Sequence, residues 1–147
     1  MGNLMTSKIS PMKKSDLKTI IKMGENTPEF QTGTDCPSFY QEKTLQGWIK
    51  DPNGLCFVAK VNGKVVGFSL GYCMMGPKDA YLNCVVVEPS YRRKGIGRGL
   101  LRARIKKAKQ RGCNHVFCVV KNKKTIQFLQ KEGLQKGETF NYMEKLI

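Results

Sequence analysis

The stretch from Val85 to Leu101, Val-Val-Val-Glu-Pro-Ser-Tyr-Arg-Arg-Lys-Gly-Ile-Gly-Arg-Gly-Leu-Leu, constrains this chain more than any other. An apolar run enters it, Pro89 closes the run, a basic cluster follows, and glycines open a helix. Glycine has no Cβ, so its backbone can approach a ligand closely. The first turn of a helix carries N–H groups without internal partners, and the macrodipole adds partial positive charge there. Arg92, Arg93, Lys94 and Arg98 contribute full charges. The stretch therefore predicts a socket for a phosphorylated ligand between a strand and a helix.

Spacing decides which socket. A Walker loop requires G-x-x-x-x-G-K-[ST], which the chain lacks. A dinucleotide fingerprint G-x-G-x-x-G would need glycine where Leu100 stands, and an acidic residue where the chain reads Val116 to Val120. What remains is Arg-x-x-Gly-x-Gly, at Arg92, Gly95 and Gly97.

The rest of the chain supplies a sheet for that socket. Lys8 to Met12 reads as a short strand, and Ser15-Asp16 offers an N-cap to a helix carrying Leu17, Ile20, Ile21 and Met23, with Gly24 as its C-cap. From Met23 to Gln41 there is no Lys or Arg, while Glu25, Glu29, Asp35 and, at the edge, Glu42 cluster with Phe30, Phe39 and Tyr40. A second short helix spans Glu42 to Ile49, and Asp51-Pro52-Asn53-Gly54 is a turn. Leu55 to Val61 and Lys64 to Tyr72 read as strands joined by a type I′ turn at Asn62-Gly63. Ala80 to Val87 follows as a strand. Its unbroken apolar end, Cys84 to Val87, predicts burial on both faces at the centre of the sheet. The helix after the glycines runs to about Arg111, with Ile96, Leu100, Ile105 and Ala108 inward and Arg102, Arg104, Lys106, Lys107, Lys109 and Arg111 on a solvated face. His115 to Lys121, Thr125 to Lys131 and Leu134 to Lys145 predict a strand, a helix and a last pair of strands.

With the strand, the proline, Tyr91 and the amphipathic helix in order, Arg92-x-x-Gly95-x-Gly97 resembles the acetyl-CoA pyrophosphate loop of the GNAT N-acetyltransferase superfamily. The opening strand, Lys-x-Ser-Asp-Leu and helix resemble the start of the same domains, so the likeness covers nearly the whole chain. It implies one α/β domain over residues 1–147. The mixed central sheet would be flanked by helices, with central strands splayed to hold acetyl-CoA. It also implies roles. Val85, Val86 and Val87 would line the pantetheine arm, and Arg92, Arg93, Lys94, Gly95, Ile96, Gly97 and Arg98 would cradle the pyrophosphate. A second family motif, Asn-x-x-Ala-x-x-Phe-Tyr-x-x-x-Gly-Phe, is matched at Asn122, Phe128 and Gly133, which adds Asn122 and Phe128 to the cofactor side.

The reaction so implied is acetyl transfer to a primary amine by direct attack on the thioester. Leu129 stands where the family often has its tyrosine general acid, leaving Tyr142, Tyr91 or Cys118 as substitutes. Tyr81 falls where several members carry a catalytic glutamate, and a tyrosine of pKa about 10 is a poor base at neutral pH. A water-mediated base from Glu25, Glu29 or Asp79 is an alternative, and His115 reads as structural. Another reading is a non-catalytic module with this fold, holding acyl-CoA or nucleic acid. The net charge of +15 attracts polyanions, although no RNP, KH or zinc-finger pattern is present. The aromatic surface of Phe39, Tyr40 and Trp48 suits either a cleft or a homodimer contact. Six scattered cysteines without C-x-x-C spacing, no apolar run of about 18 residues and no secretory signal predict reduced thiols in a cytoplasmic protein without a metal site.

Overall fold

Two turn residues with positive φ set the sheet in motion. Asn62 (φ 50°) and Gly63 (φ 77°) form the expected I′ turn, folding β2 (Phe57–Val61) against β3 (Lys64–Met74). The computed structural model describes residues 6–28, 39–74 and 76–147, so Glu29, Phe30, Asp35 and Cys36 lie outside the described residues. Around the hairpin, β1 (Lys8–Pro11), β4 (Asp79–Val87) and β5 (His115–Phe117) complete one five-stranded sheet in the order β1-β2-β3-β4-β5. All neighbours are antiparallel except β4 and β5, which are parallel and bridged by helix α3 (Ile96–Gln110). This is the expected mixed α/β sheet.

Helices cover both faces. On one side α1 (Leu17–Glu25) and α2 (Glu42–Lys50) bury Leu17, Ile20 and Leu45 against Val58, Phe68, Leu70 and Val86. On the other, α3 packs Ile96 and Leu100 against Ala59, Val61 and Val66, and Leu101 and Ala108 against Ala80 and Leu82. Helix α4 (Lys123–Lys131) lies beside α3 through Phe128 and Leu129, and Gly133 (φ 95°) follows its end.

Several expectations give way. Gly24 is not a C-cap: α1 runs on to Glu25 and is capped by Asn26. A Cβ at Gly24 would strike the Phe39 ring, so this glycine serves packing instead. Phe39, Tyr40 and Trp48 are partly buried against the α1–α2 core, Phe39 edge-on to Tyr40 at 5.4 Å and Tyr40 tilted against Trp48 at 4.7 Å, because α2 folds back over the sheet. The strand buried along most of its length is β3, whereas Cys84, Val85 and Val87 of β4 stay partly exposed because β4 loses its outer neighbour. β5 stops at Phe117 instead of continuing to Lys121. No strand forms between Leu134 and Lys145. Gln135 to Glu138 lacks apolar alternation, and Phe140 and Tyr142 are 77% and 72% exposed.

Candidate functional site

The site begins with a fault in the ladder. Leu70 pairs with Cys84 but Tyr72 pairs with Tyr81, so Leu82 and Asn83 together oppose Gly71. That is a β-bulge in β4. Gly71 permits it, since a Cβ there would lie 2.6 Å from the Tyr81 carbonyl oxygen. The bulge resets the alternation of side chains: Ala80 and Leu82 pack on the α3 face, and so do Val85 and Val87 beyond it. The parallel pairing of β4 with β5 covers Asp79, Ala80 and Tyr81 and then ends. Beyond that point β4 has a neighbour on one side only. Glu88 N donates to Val66 O across β3, so by alternation Val85 and Val87 turn their backbone groups towards the open edge. Arg92 Nε takes the last of these, Val87 O, at 2.9 Å.

The open edge runs straight into the start of α3. Gly95 is the N-cap in the left-handed conformation (φ 82°), and no side chain caps the helix, leaving the first-turn N–H groups of Ile96, Gly97 and Arg98 for an external acceptor. Arg93 is also left-handed (φ 60°), which tightens the loop. A Cβ at Gly97 would meet only Phe128 Cζ, at 4.0 Å, an ordinary contact. The protein itself therefore does not demand glycine there. The missing side chain leaves room above an uncapped helix terminus, where an anionic group is favoured.

The remaining candidates divide. Lys94 Nζ sits 5.6 Å from the Tyr91 ring centroid, and Arg98 Nε pairs with Glu132 Oε1 at 2.7 Å, so part of the basic cluster is engaged within the protein. Asn122 caps α4: its Oδ1 accepts from Lys124 N at 2.8 Å and Thr125 N at 3.3 Å. Tyr142 lies on the exposed C-terminal segment, its ring 5.4 Å from Lys121 Nζ and its hydroxyl donating to Glu144. Leu129 packs into the α3–α4 core and brings no proton donor to the cleft.

On the α1–α2 side of the split, Asn83 Nδ2 donates to the Tyr40 hydroxyl at 2.9 Å. Tyr81 lies between Tyr72 and Phe117, with ring centroids 5.5 Å and 5.2 Å away. Burial, then the neighbouring Tyr40 and Tyr72 hydroxyls, push its phenol above the usual range, so Tyr81 is protonated at neutral pH and suited to donate. Asp79 is held by His115 Nδ1 at 2.9 Å, at the opposite end of β4 from the phosphate loop.

Sequence reasoning missed Asn83, an amide inside an apolar strand, and Arg104. Arg104 is 2% exposed instead of solvated, and its Nη1 donates to Leu70 O (2.9 Å) and Cys84 O (3.2 Å), the pair adjoining the bulge. Burial lowers its pKa to about 10, which still leaves it charged at neutral pH. The visible signal was its i+4 spacing from Leu100 and i−4 spacing from Ala108, which puts it on the inward face. The described cysteines are all unbridged, and among the described residues no group of metal-ligating side chains gathers.

Known proteins share this fold. An aminoglycoside acetyltransferase from an uncultured soil metagenomic sample, crystallised with sisomicin, superposes with TM-score 0.76 at 21% identity over 96% of each chain. The ribosomal-protein-S18-alanine N-acetyltransferase of Escherichia coli gives 0.73 at 24% identity, over 90% of this chain and 80% of that one. The PaiA N-acetyltransferase of Thermoplasma acidophilum, crystallised with coenzyme A, gives 0.71 at 21%, over 92% and 94%. At such identities these show a shared fold. In sequence, an uncharacterized N-acetyltransferase of Methanocaldococcus jannaschii is 32% identical over 113 residues, which is 68% of this chain and 50% of that protein. The chain thus spans about half the length of the curated relative it matches. Residues 23–134, which include the open edge, the loop and both flanking helices, match the Acetyltransferase (GNAT) family. The chain belongs to the GNAT acetyltransferase family.

Proposed function

We propose that this protein is an acetyl-CoA-dependent N-acetyltransferase that moves an acetyl group to a primary amine by direct attack on the thioester. The observation that carries the reading is the open β4 edge leading into the uncapped N-terminus of α3. Val85 and Val87 offer backbone groups to an extended pantetheine arm, as an added strand would take them. Gly95 to Arg98 hold the pyrophosphate, with Phe128 closing the loop from α4. Acetyl-CoA supplies the acyl group on a thioester; the chain supplies N–H donors for the oxygen that gains negative charge.

Tyr81, protonated, is assigned as a donor towards the departing sulfur. Tyr142 is 72% exposed and its hydroxyl donates to Glu144, so we do not assign it that role. Asp79 is tied to His115 and Glu25 is an exposed carboxylate, so we assign neither as a strong base. An α-amine of pKa about 7.7–8.0 is roughly a tenth neutral at pH 7, whereas a lysine amine near 10.4 is under about a thousandth. The site therefore favours low-pKa amines. The structural neighbours named for aminoglycosides and for ribosomal-protein-S18 alanine make amino sugars and peptide amines worth assaying. Among the described residues no helix is long and apolar enough to cross a membrane, and the described cysteines, unbridged, suit a reducing cytoplasm.

The test is CoA-thiol release from acetyl-CoA against peptide N-termini, lysine peptides, polyamines and amino sugars. Amine-dependent release, faster for peptide α-amines than for lysine peptides, is expected. Binding of acetyl-CoA without release across the panel would favour a non-catalytic module, with Leu129 in place of the family tyrosine as its explanation.

A further inference from the structure

Arg104 is costly where it stands. A buried guanidinium loses its hydration, and among the described residues no carboxylate lies within ion-pair distance to compensate. Its Nε is enclosed without a partner. The titratable groups that feel it are thiols: Cys84 on β4, Cys118 just past the end of β5, and Cys56. The guanidinium bonds carbonyls on the β3 side of β4, so the unbalanced cation lies behind the strand that borders the split. An apolar residue would fill the same space on α3 more cheaply, which calls for a reason beyond packing.

The hydrogen bonds supply one. The Cys84 carbonyl and the Val85 N–H belong to one peptide unit, and every described peptide is trans, so the two groups point in opposite directions. The carbonyl is bonded by the guanidinium, while the N–H faces the open edge. A charged donor on the oxygen polarises the amide and strengthens its N–H as a donor, an effect of about 10–30% per bond in a low-dielectric setting. We infer that Arg104 is a positioning residue that acts through the Cys84–Val85 peptide: it holds the bulge in register and strengthens the Val85 N–H that receives the thioester oxygen. This deepens, and rests on, the acetyl-CoA reading of the cleft. Arg104 touches no reactant itself.

The test compares wild type, Arg104→Met and Arg104→Lys by the infrared carbonyl band of acetyl-CoA labelled with carbon-13 in its acetyl group. Binding to wild type moves the band to lower frequency. Arg104→Met loses most of that displacement while retaining acetyl-CoA affinity within about threefold, and Arg104→Lys restores it. In turnover, Arg104→Met lowers kcat about tenfold, less than the loss from deleting an oxyanion donor outright, with KM for acetyl-CoA little changed. If Arg104→Met fails to fold, Arg104→Lys carries the test alone. Its band displacement disappears as rising pH removes the charge of the introduced amine, which burial lowers from the ordinary lysine value, while wild type stays constant up to about pH 9, below the titration of its guanidinium. A displacement equal in wild type and Arg104→Met, or unaffected by that titration, overturns the inference. The band is read without an acceptor amine, so an Arg104-dependent displacement in a protein that never releases CoA would sink the transferase reading and leave this one standing. Absence of acetyl-CoA binding in wild type would overturn both.

Discussion

Helices α3 and α4 start in opposite ways. α4 begins at Asn122, whose side-chain oxygen satisfies two backbone N–H groups of its first turn. α3 begins at Gly95, in the left-handed region and without a side chain to cap anything. A side-chain cap is worth roughly 1 kcal/mol over alanine and about a few tenths over glycine, so Gly95 forgoes a little stability. The difference teaches where the chain keeps its donors for itself and where it reserves them. Near α3, β4 leaves its edge open as well, so two sets of backbone donors converge on one place. Glu132 joins the two helices, accepting from Arg98 at 2.7 Å and Arg102 at 3.1 Å.

Breaking the open terminus should have the largest effect. Gly97→Glu puts a carboxylate over the α3 N-terminus, and like charges brought together cost several kcal/mol. Acetyl-CoA binding should weaken by about 100-fold or more in calorimetric titration. The thermal midpoint should hold, because a Cβ there meets only Phe128 at ordinary contact distance. Breaking the closed terminus should do the reverse. Asn122→Ala should cost about 1 kcal/mol in denaturant unfolding, with acetyl-CoA affinity changed less than threefold. That outcome would separate Asn122 from the cofactor-binding set to which its motif assigns it.

The link between the helices gives the smallest change. Glu132→Gln removes a carboxylate shared by two arginines that are 55% and 67% exposed, so stability should fall by no more than about 1 kcal/mol. Released from its partner, Arg98 becomes available to phosphate. Acetyl-CoA affinity should rise slightly and its salt dependence should steepen, both measurable in the same titration at two ionic strengths.

What the sequence reveals of this molecule is what local chemistry controls. The turn at Asn62-Gly63, the stop after α4 at Gly133 and the loop at Gly95 each follow from a residue that must take positive φ. The α3 face follows from a 3.6-residue period, apart from Arg104. Arg104 was hidden because its partners lie 34 and 20 residues away and exist only once β3 and β4 pair around a bulge. Asn83 and Tyr40 meet across 43 residues, which no local pattern encodes. The apolar run Cys84 to Val87 reads as a strand paired on both sides. Its outer edge is instead unpaired, because β5 ends at Phe117, so burial there is incomplete.

The contrast between the two helix starts can be read amide by amide. Hydrogen–deuterium exchange with and without acetyl-CoA should show new protection at Val85, Val87 and Ile96 to Arg98. The N–H groups of Lys124 and Thr125, already bonded to Asn122, should not change. Protection at the start of α4 with none at the start of α3 would contradict this assignment of the site.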